Sequence, residues 1–218
     1  AALIVGIAFA ASPKQSAGTS ATITAAAPSA ADATGAIILG EPSAKVTVTV
    51  YSDFMCSYCG LFERTNGDQL AADVASGTVK LAVYPLTFLN DASLGTRYST
   101  RAANAFATVA DADRTAALAF YQALYAHQPA ENTPGLTDAQ LAEYAAQAGA
   151  SPAVVARIAE ATFASWADQT TTYWFPGRIS GTELQNPDFA AYARAFGGHG
   201  EVVETTGQFA SAFERARA

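Results

Sequence analysis

Between positions 46 and 84 two stretches alternate apolar and polar residues with a period of two. Val46-Thr47-Val48-Thr49-Val50-Tyr51 is the first, and its β-branched side chains suit a half-buried strand. Val79 to Tyr84 is the second, with Val79, Leu81 and Val83 on one face. Between them, residues from about Ser57 to Ser76 read as a helix, with Gly77 just beyond it where a left-handed residue is favoured. Gly67 falls inside that helix and predicts a kink or a split, because glycine weakens a helix interior. Strand, helix and strand in succession form a βαβ unit, hence a parallel pair with a right-handed crossover.

The period then changes to that of helices. Tyr98, Ala102, Ala105, Phe106 and Val109 make one stripe, and Ala117, Phe120, Tyr121, Leu124 and Tyr125 make another. A third helix, Thr137 to Gly149, opens on a capping box of Thr137 with Gln140 and stops at a glycine. Ser151-Pro152 supplies an N-cap with proline behind it, and this helix is expected to run past Val155, Ile158 and Trp166. A helical block over about 97–170 is therefore inserted after the βαβ unit. Globular patterning begins near Ile37. The stretch 12–36 is nearly all Ala, Ser, Thr, Gly and Pro, too little apolar surface to offset its ordering entropy, and predicts a flexible linker. Residues 1–11 are apolar and uncharged but too short to span a bilayer, so they fit the end of a signal peptide or membrane anchor.

Composition narrows the partners. The chain has 218 residues and a net charge of −7, and its 12 Lys and Arg are spread thinly, so no basic patch exists for nucleic acid. Two cysteines stand as Cys56-Ser57-Tyr58-Cys59, a C-x-x-C between a strand and a helix. That place puts Cys56 at a helix N-terminus, where unpaired amides and the positive end of the dipole stabilise a thiolate. Its pKa is expected to be lowered, within roughly 3.5 to 7. Cys59, one turn further in, is expected to be more buried and less acidic, and to attack the mixed disulfide that Cys56 forms. Ser57 and Tyr58 tune the thiolate. Structural zinc would need two more ligands, and His127 and His199 are the only histidines. A structural disulfide of this spacing closes too short a loop to stabilise much. No metal or other cofactor is expected.

Tyr51 to Cys59 followed by Phe62-Glu63, together with Tyr84-Pro85-Leu86-Thr87-Phe88-Leu89 and the helices up to about Trp166, resembles the DsbA-like thioredoxin-fold oxidoreductases of bacterial envelopes. The resemblance spans about 37–172. It implies an α/β, thioredoxin-like fold with an inserted helical domain. It also implies a role in introducing or exchanging disulfides in exported client proteins, with a redox partner that resets the pair. Asp53, three residues before Cys56, matches an acidic position of this subgroup; it could shuttle a proton, cap the active-site helix or be a solvated loop carboxylate.

The C-terminal part departs from that family. The family places a cis-proline loop opposite the C-x-x-C and closes its sheet with a β-hairpin. Here Ile179-Ser180-Gly181-Thr182 approaches such a loop, but Glu183 stands in the proline's place, and Asn186-Pro187 reads as a helix start. The sheet is thus expected to lack its closing hairpin, leaving Val46 to Tyr51 with a bare edge unless Glu201 to Glu204 covers it. The atypical tail, 173–218, instead resembles a late fragment of acetolactate-synthase-like thiamine-diphosphate enzymes, carried by Phe175 to Thr182, Asn186 to Phe189 and Ala195 to Glu201. The Gly-Asp-Gly metal motif of such enzymes is absent. His199 and Glu201 are then polar loop residues. An extracytoplasmic dithiol oxidase, secreted or membrane-anchored, is the leading expectation. A non-catalytic or chimeric thioredoxin-like remnant, and a reductase or isomerase, are the alternatives.

Overall fold

The alternating stretch becomes strand β2, Val46–Ser52, and pairs in parallel with β3, Val79–Pro85, in a register that sets Val48 against Leu81 and Ser52 against Pro85. Between them runs α1, Ser57–Ala75. The crossover is the expected βαβ unit. A short strand that the pattern did not announce, β1 at Ile37–Leu39, lies antiparallel on the other side of β3. The order is β1-β3-β2, so among the described residues β2 is an edge; the segment in which a closing hairpin would stand lies outside them. Val46 and Tyr51 on that strand are 50% and 41% exposed, although Tyr51 stacks on Tyr84 of β3 with ring centroids 4.5 Å apart.

The computed structural model describes residues 22–174, 194, 199, 201–202 and 206–217. Glu183 and the Asn186-Pro187 turn lie outside them. The chain divides into two units, Ala1–Gly177 and Arg178–Ala218. In the first, four helices follow β3 in two pairs: α2 (Tyr98–Ala112) and α3 (Arg114–Ala126), then α4 (Asp138–Gln147) and α5 (Pro152–Arg157). α6 (Ala164–Trp174) closes the block. α2 is buried on nearly every side because it packs against α3, α4, α5 and α6 together, and its many alanines let those helices approach closely. Fully buried Tyr98, Phe106, Phe120, Tyr121 and Trp166 join the core beneath the sheet; each such side chain contributes about 2–3 kcal/mol by leaving water. The capping box forms as read: Gln140 N–H donates to Thr137 Oγ1 at 3.2 Å, and Thr137 N–H to Gln140 Oε1 at 2.9 Å.

Three expectations need correction. The helix opened by Ser151-Pro152 does not continue to Trp166: Ala161 takes a left-handed φ of 53° and separates α5, with its 3₁₀ turn Ile158–Glu160, from α6. Asn104 of α2 explains the break. Its amide donates to Ile158 O at 3.0 Å and accepts from Phe163 N–H at 2.9 Å, replacing the bonds a continuous helix would make. Gly67 neither kinks nor splits α1; the Glu63 side chain lies over it. Residues 22–36 are not a free linker. Thr24 and Ala25 amides donate to Gln169 Oε1 at 2.7 and 2.9 Å, Ser29 N–H donates to Asp111 Oδ1 at 2.8 Å, and Ala30 and Ala36 are buried. Composition measures how little apolar surface the segment has; it cannot see the polar anchors that α2 and α6 present to it.

The second unit contains α7, Thr206–Arg217. Within it Glu201 accepts from Arg215 Nε at 3.0 Å and lies 3.2 Å from His199 Nε2. Glu201 and Val202 carry no strand, and the rest of that expected strand lies outside the described residues.

Candidate active site

β2 ends at Ser52, and the chain turns tightly before α1: Cys56 N–H donates to Asp53 O at 3.0 Å. Phe54 and Met55, both fully buried, fix this turn into the core, and the Phe54 ring lies 5.3–6.0 Å from those of Phe106, Tyr121 and Tyr125. Cys56 is therefore held as the N-cap of α1, with an extended backbone at φ −70° and ψ 116°. Both cysteines are free thiols, each partly exposed. The Cys59 thiol donates to the Cys56 sulfur and is the main cause of its acidity; the N–H groups of Cys59 and Tyr58 add to it, while burial and the Asp53 charge oppose. The result pulls Cys56 down to about 6. Cys59 moves the opposite way, raised first by the hydrogen bond it donates to the Cys56 sulfur and then by burial. The direction of this split is the expected one, but its largest cause is the hydrogen bond between the two thiols, with the helix-start amides second to it.

Asp53 is no solvated carboxylate. It is fully buried, and accepts from Met55 N–H at 2.8 Å and Leu89 N–H at 2.9 Å. It thus ties the active-site turn to the loop after β3 rather than capping α1. Burial pushes its carboxyl up to about 6, against the amide bonds that favour the charge. Ser57 and Tyr58 are exposed, Tyr58 to 80%, and Tyr58 together with Leu61 at 50% gives the first turns of α1 an apolar outer face. The bonds to the sulfur come from backbone amides and Cys59.

Sequence reasoning missed several residues around the pair. Gln128, just past α3, donates to Cys56 O at 2.8 Å and Phe54 O at 3.2 Å, and a Cβ on Gly60 would lie 2.0 Å from its Oε1. Glu63 is 8% exposed, folds back over Gly67 and bonds Tyr121. Burial raises it to about 7, helped by the Asp68 charge. A Cβ at Gly67 would come within 2.4 Å of the Glu63 Oε1, so Gly67 makes room for a carboxyl and is not a hinge. The two glycines inside α1 were the visible signal. From Cys59, hydrogen bonds continue to Ser52, from Ser52 to Tyr121 and Tyr125, and from Tyr121 to Glu63.

A family model described as "Thioredoxin" matches residues 32–173, well over half of the chain. The chain belongs to the thioredoxin family. Among solved structures similar to this family member are the disulfide bond oxidoreductase DsbG of Mycobacterium tuberculosis, 27% identical with a TM-score of 0.59, covering 84% of this chain and 94% of that one. DsbA of the same organism is 26% identical with a TM-score of 0.59, covering 84% and 99%. MdbA, a thiol-disulfide oxidoreductase from Corynebacterium matruchotii, shares the fold at 24% identity and a TM-score of 0.57, covering 69% and 79%. The serine/threonine-protein kinase PknE of Mycobacterium tuberculosis is 32% identical over 126 residues, which are 56% of this chain but 22% of that protein. The chain thus spans under a quarter of the length of the curated relatives it matches.

A second model, the C-terminal TPP binding domain of thiamine pyrophosphate enzymes, matches residues 145–218 and so overlaps the thioredoxin match over 145–173. In that overlap the chain forms α5 and α6, whose Trp166, Ala167 and Thr170 are buried against the helical block and present no cradle for a diphosphate. Among the described residues no group of three His, Cys, Asp or Glu could hold a metal ion. These residues do not fit that cofactor.

Proposed function

We infer that the chain is a thiol–disulfide oxidoreductase acting on exported proteins, with Cys56 as the exchanging sulfur and Cys59 as the resolving one. The observation that carries this reading is the opposed acidity of two adjacent thiols: one pulled down to about 6 at the start of a helix, the other raised behind it. At neutral pH such a pair offers one thiolate and keeps one proton in reserve. In the oxidising direction a client thiolate attacks the Cys56 sulfur of the disulfide, Cys59 leaves and is protonated. A second client thiolate then attacks the client sulfur of the mixed bond and releases Cys56 as thiolate. Two client thiols become one disulfide, and the pair becomes a dithiol. In reverse, Cys59 must lose its proton to resolve the mixed disulfide, and Ser52, Tyr121 and the Glu63 carboxylate form the path that takes it. The apolar face of Tyr58 and Leu61 offers a client chain a place to lie beside Cys56.

Clients are exported proteins, and a separate redox protein resets the pair. Location outside the cytoplasm is supported by the uncharged, apolar residues 1–11. No helix among the described residues is long and apolar enough to cross a membrane. Reading the pair as an oxidase rather than a reductase or isomerase rests on the lowered pKa of Cys56, since a stabilised thiolate stabilises the reduced form. The test is oxidation of a reduced, disulfide-requiring client by the oxidised chain. Cys56→Ser is expected to abolish it, and Cys59→Ser, offered a client that already carries a disulfide, to accumulate a mixed disulfide because no second thiol resolves it. Unchanged oxidation by Cys56→Ser would leave only a thioredoxin-like remnant.

A further inference from the structure

The first turn of α1 holds one more anion than disulfide exchange requires. The amides of Tyr58 and Cys59 bond the Cys56 sulfur. The amide of Ser57, the remaining donor of that turn, donates to Glu131 Oε1 at 3.1 Å. Glu131 comes from the loop between α3 and α4, 74 positions further along the chain. It is not a loose surface carboxylate, because the loop is tied on both sides. Gln128 grips the carbonyls of Phe54 and Cys56. On the far side Asn132 N–H donates to Ala92 O at 2.8 Å and Thr96 Oγ1 donates to Pro134 O at 2.6 Å. Asn132 itself takes a left-handed φ of 62°, which turns the chain straight after Glu131 and aims the side chain back at α1.

We propose that Glu131 is a positioning residue that restrains the thiolate: its carboxylate shares the positive end of α1 with Cys56 and thereby sets the redox poise of the pair. The inference rests on the oxidoreductase reading and extends it to what the helical block does for the chemistry. A helix N-terminus carries about half a positive charge, and two anions placed on it each raise the cost of the other. The Asp53 charge acts on Cys56 with the same sign from the turn, and Cys59 supplies the hydrogen bond that opposes it. Arg64 is the cation on the other side, near Gly60 one turn along α1. Only the dithiol form of the pair contains a thiolate. A carboxylate that makes the thiolate costlier therefore shifts the equilibrium towards the disulfide and makes the pair a milder oxidant.

Removing the charge while keeping the shape is the decisive change. Glu131→Gln still accepts from the Ser57 amide, whereas Glu131→Ala loses both bond and charge. In the full chain, both variants are expected to lower the pH midpoint of Cys56 thiolate absorbance by about half a unit. Equilibration with glutathione should move about threefold towards the dithiol, which is about 14 mV more positive at 29.6 mV per decade. A matching melting temperature confirms that the fold is kept. If Glu131→Gln leaves midpoint and potential at the wild-type values, the proposal is wrong, and a change in Glu131→Ala alone would mark a purely structural bond. A wild-type chain that titrates like free cysteine and exchanges no disulfide would instead overturn the oxidoreductase reading, and the proposal with it. A wild-type chain that is acidic and active beside an unaltered Glu131→Gln overturns the proposal alone.

Discussion

Replacing Glu63 by glutamine should stabilise the protein at pH 8 and leave it unchanged at pH 4. The carboxyl is 8% exposed, folds over the bare backbone of Gly67 and bonds Tyr121. Burial, reinforced by the Asp68 charge, raises it from 4.5 to about 7. Below pH 4.5 the carboxyl is protonated in both the folded and the unfolded chain, so its contribution is fully present there. Between that pH and about 7 the unfolded chain has released the proton and the folded one has not, and stability falls by about 1.4 kcal/mol per pH unit. Above 7 the loss is complete. A gap of about 2.5 units sets a ceiling near 3 kcal/mol; discounted for the carboxyl's remaining contact with water, the loss is on the order of 1–2 kcal/mol. Glutamine fills the same space, keeps a bond to Tyr121 and cannot ionise, so Glu63→Gln removes that loss. Urea unfolding at pH 4 and pH 8 measures it. Equal stabilisation at both values would mean that packing rather than ionisation is responsible, and destabilisation at pH 8 would refute the reasoning.

Other substitutions test the frame that holds the site. Phe54→Ala removes a fully buried ring from the cluster with Phe106, Tyr121 and Tyr125, and should cost about 3–5 kcal/mol in chemical denaturation while loosening the turn before Cys56. Thr137→Ala deletes the capping box of α4 and should cost about 1 kcal/mol without altering the thiols, as read by melting temperature and thiol titration together. Gly67→Ala should fail to give the gain of about 1 kcal/mol usual for an exposed helix glycine, because the added Cβ displaces the Glu63 carboxyl.

The chemistry of this chain is written locally, and its control is written at a distance. A period-two run, a C-x-x-C and a helix in direct succession decide where Cys56 sits before any tertiary contact forms, which is why the pair and the βαβ unit were legible. The stripe of α3 was legible because a helix facing one core keeps its period, whereas α2 is buried on nearly every side and its stripe marks only where its largest apolar side chains, Tyr98, Phe106 and Val109, stand among alanines. Asp53 was ambiguous because a carboxylate between strand and helix can face either way, and the amide of Leu89, 36 positions away, decides it. Glu63 was hidden because α1 shows no strong apolar stripe that a buried acid would interrupt; only Gly67, one turn on, betrays it. Gln128 and Glu131 lie in a loop without pattern, and their meeting with α1 depends on the packing of α3. β1 has three residues, too few to show a period. The break at Ala161 is set by a side chain of α2, which no local reading of Ser151 to Trp166 contains.

The pH dependence of alkylation at Cys56 in the reduced chain bears most directly on whether the helix start and the second thiol hold that sulfur ionised. Followed by mass at that residue, the rate should rise with a midpoint about 6, while Cys59 stays unreactive through neutral pH. A midpoint near 8.5, the value of an ordinary cysteine, would mean that the helix start and its neighbouring thiol do not hold the sulfur ionised.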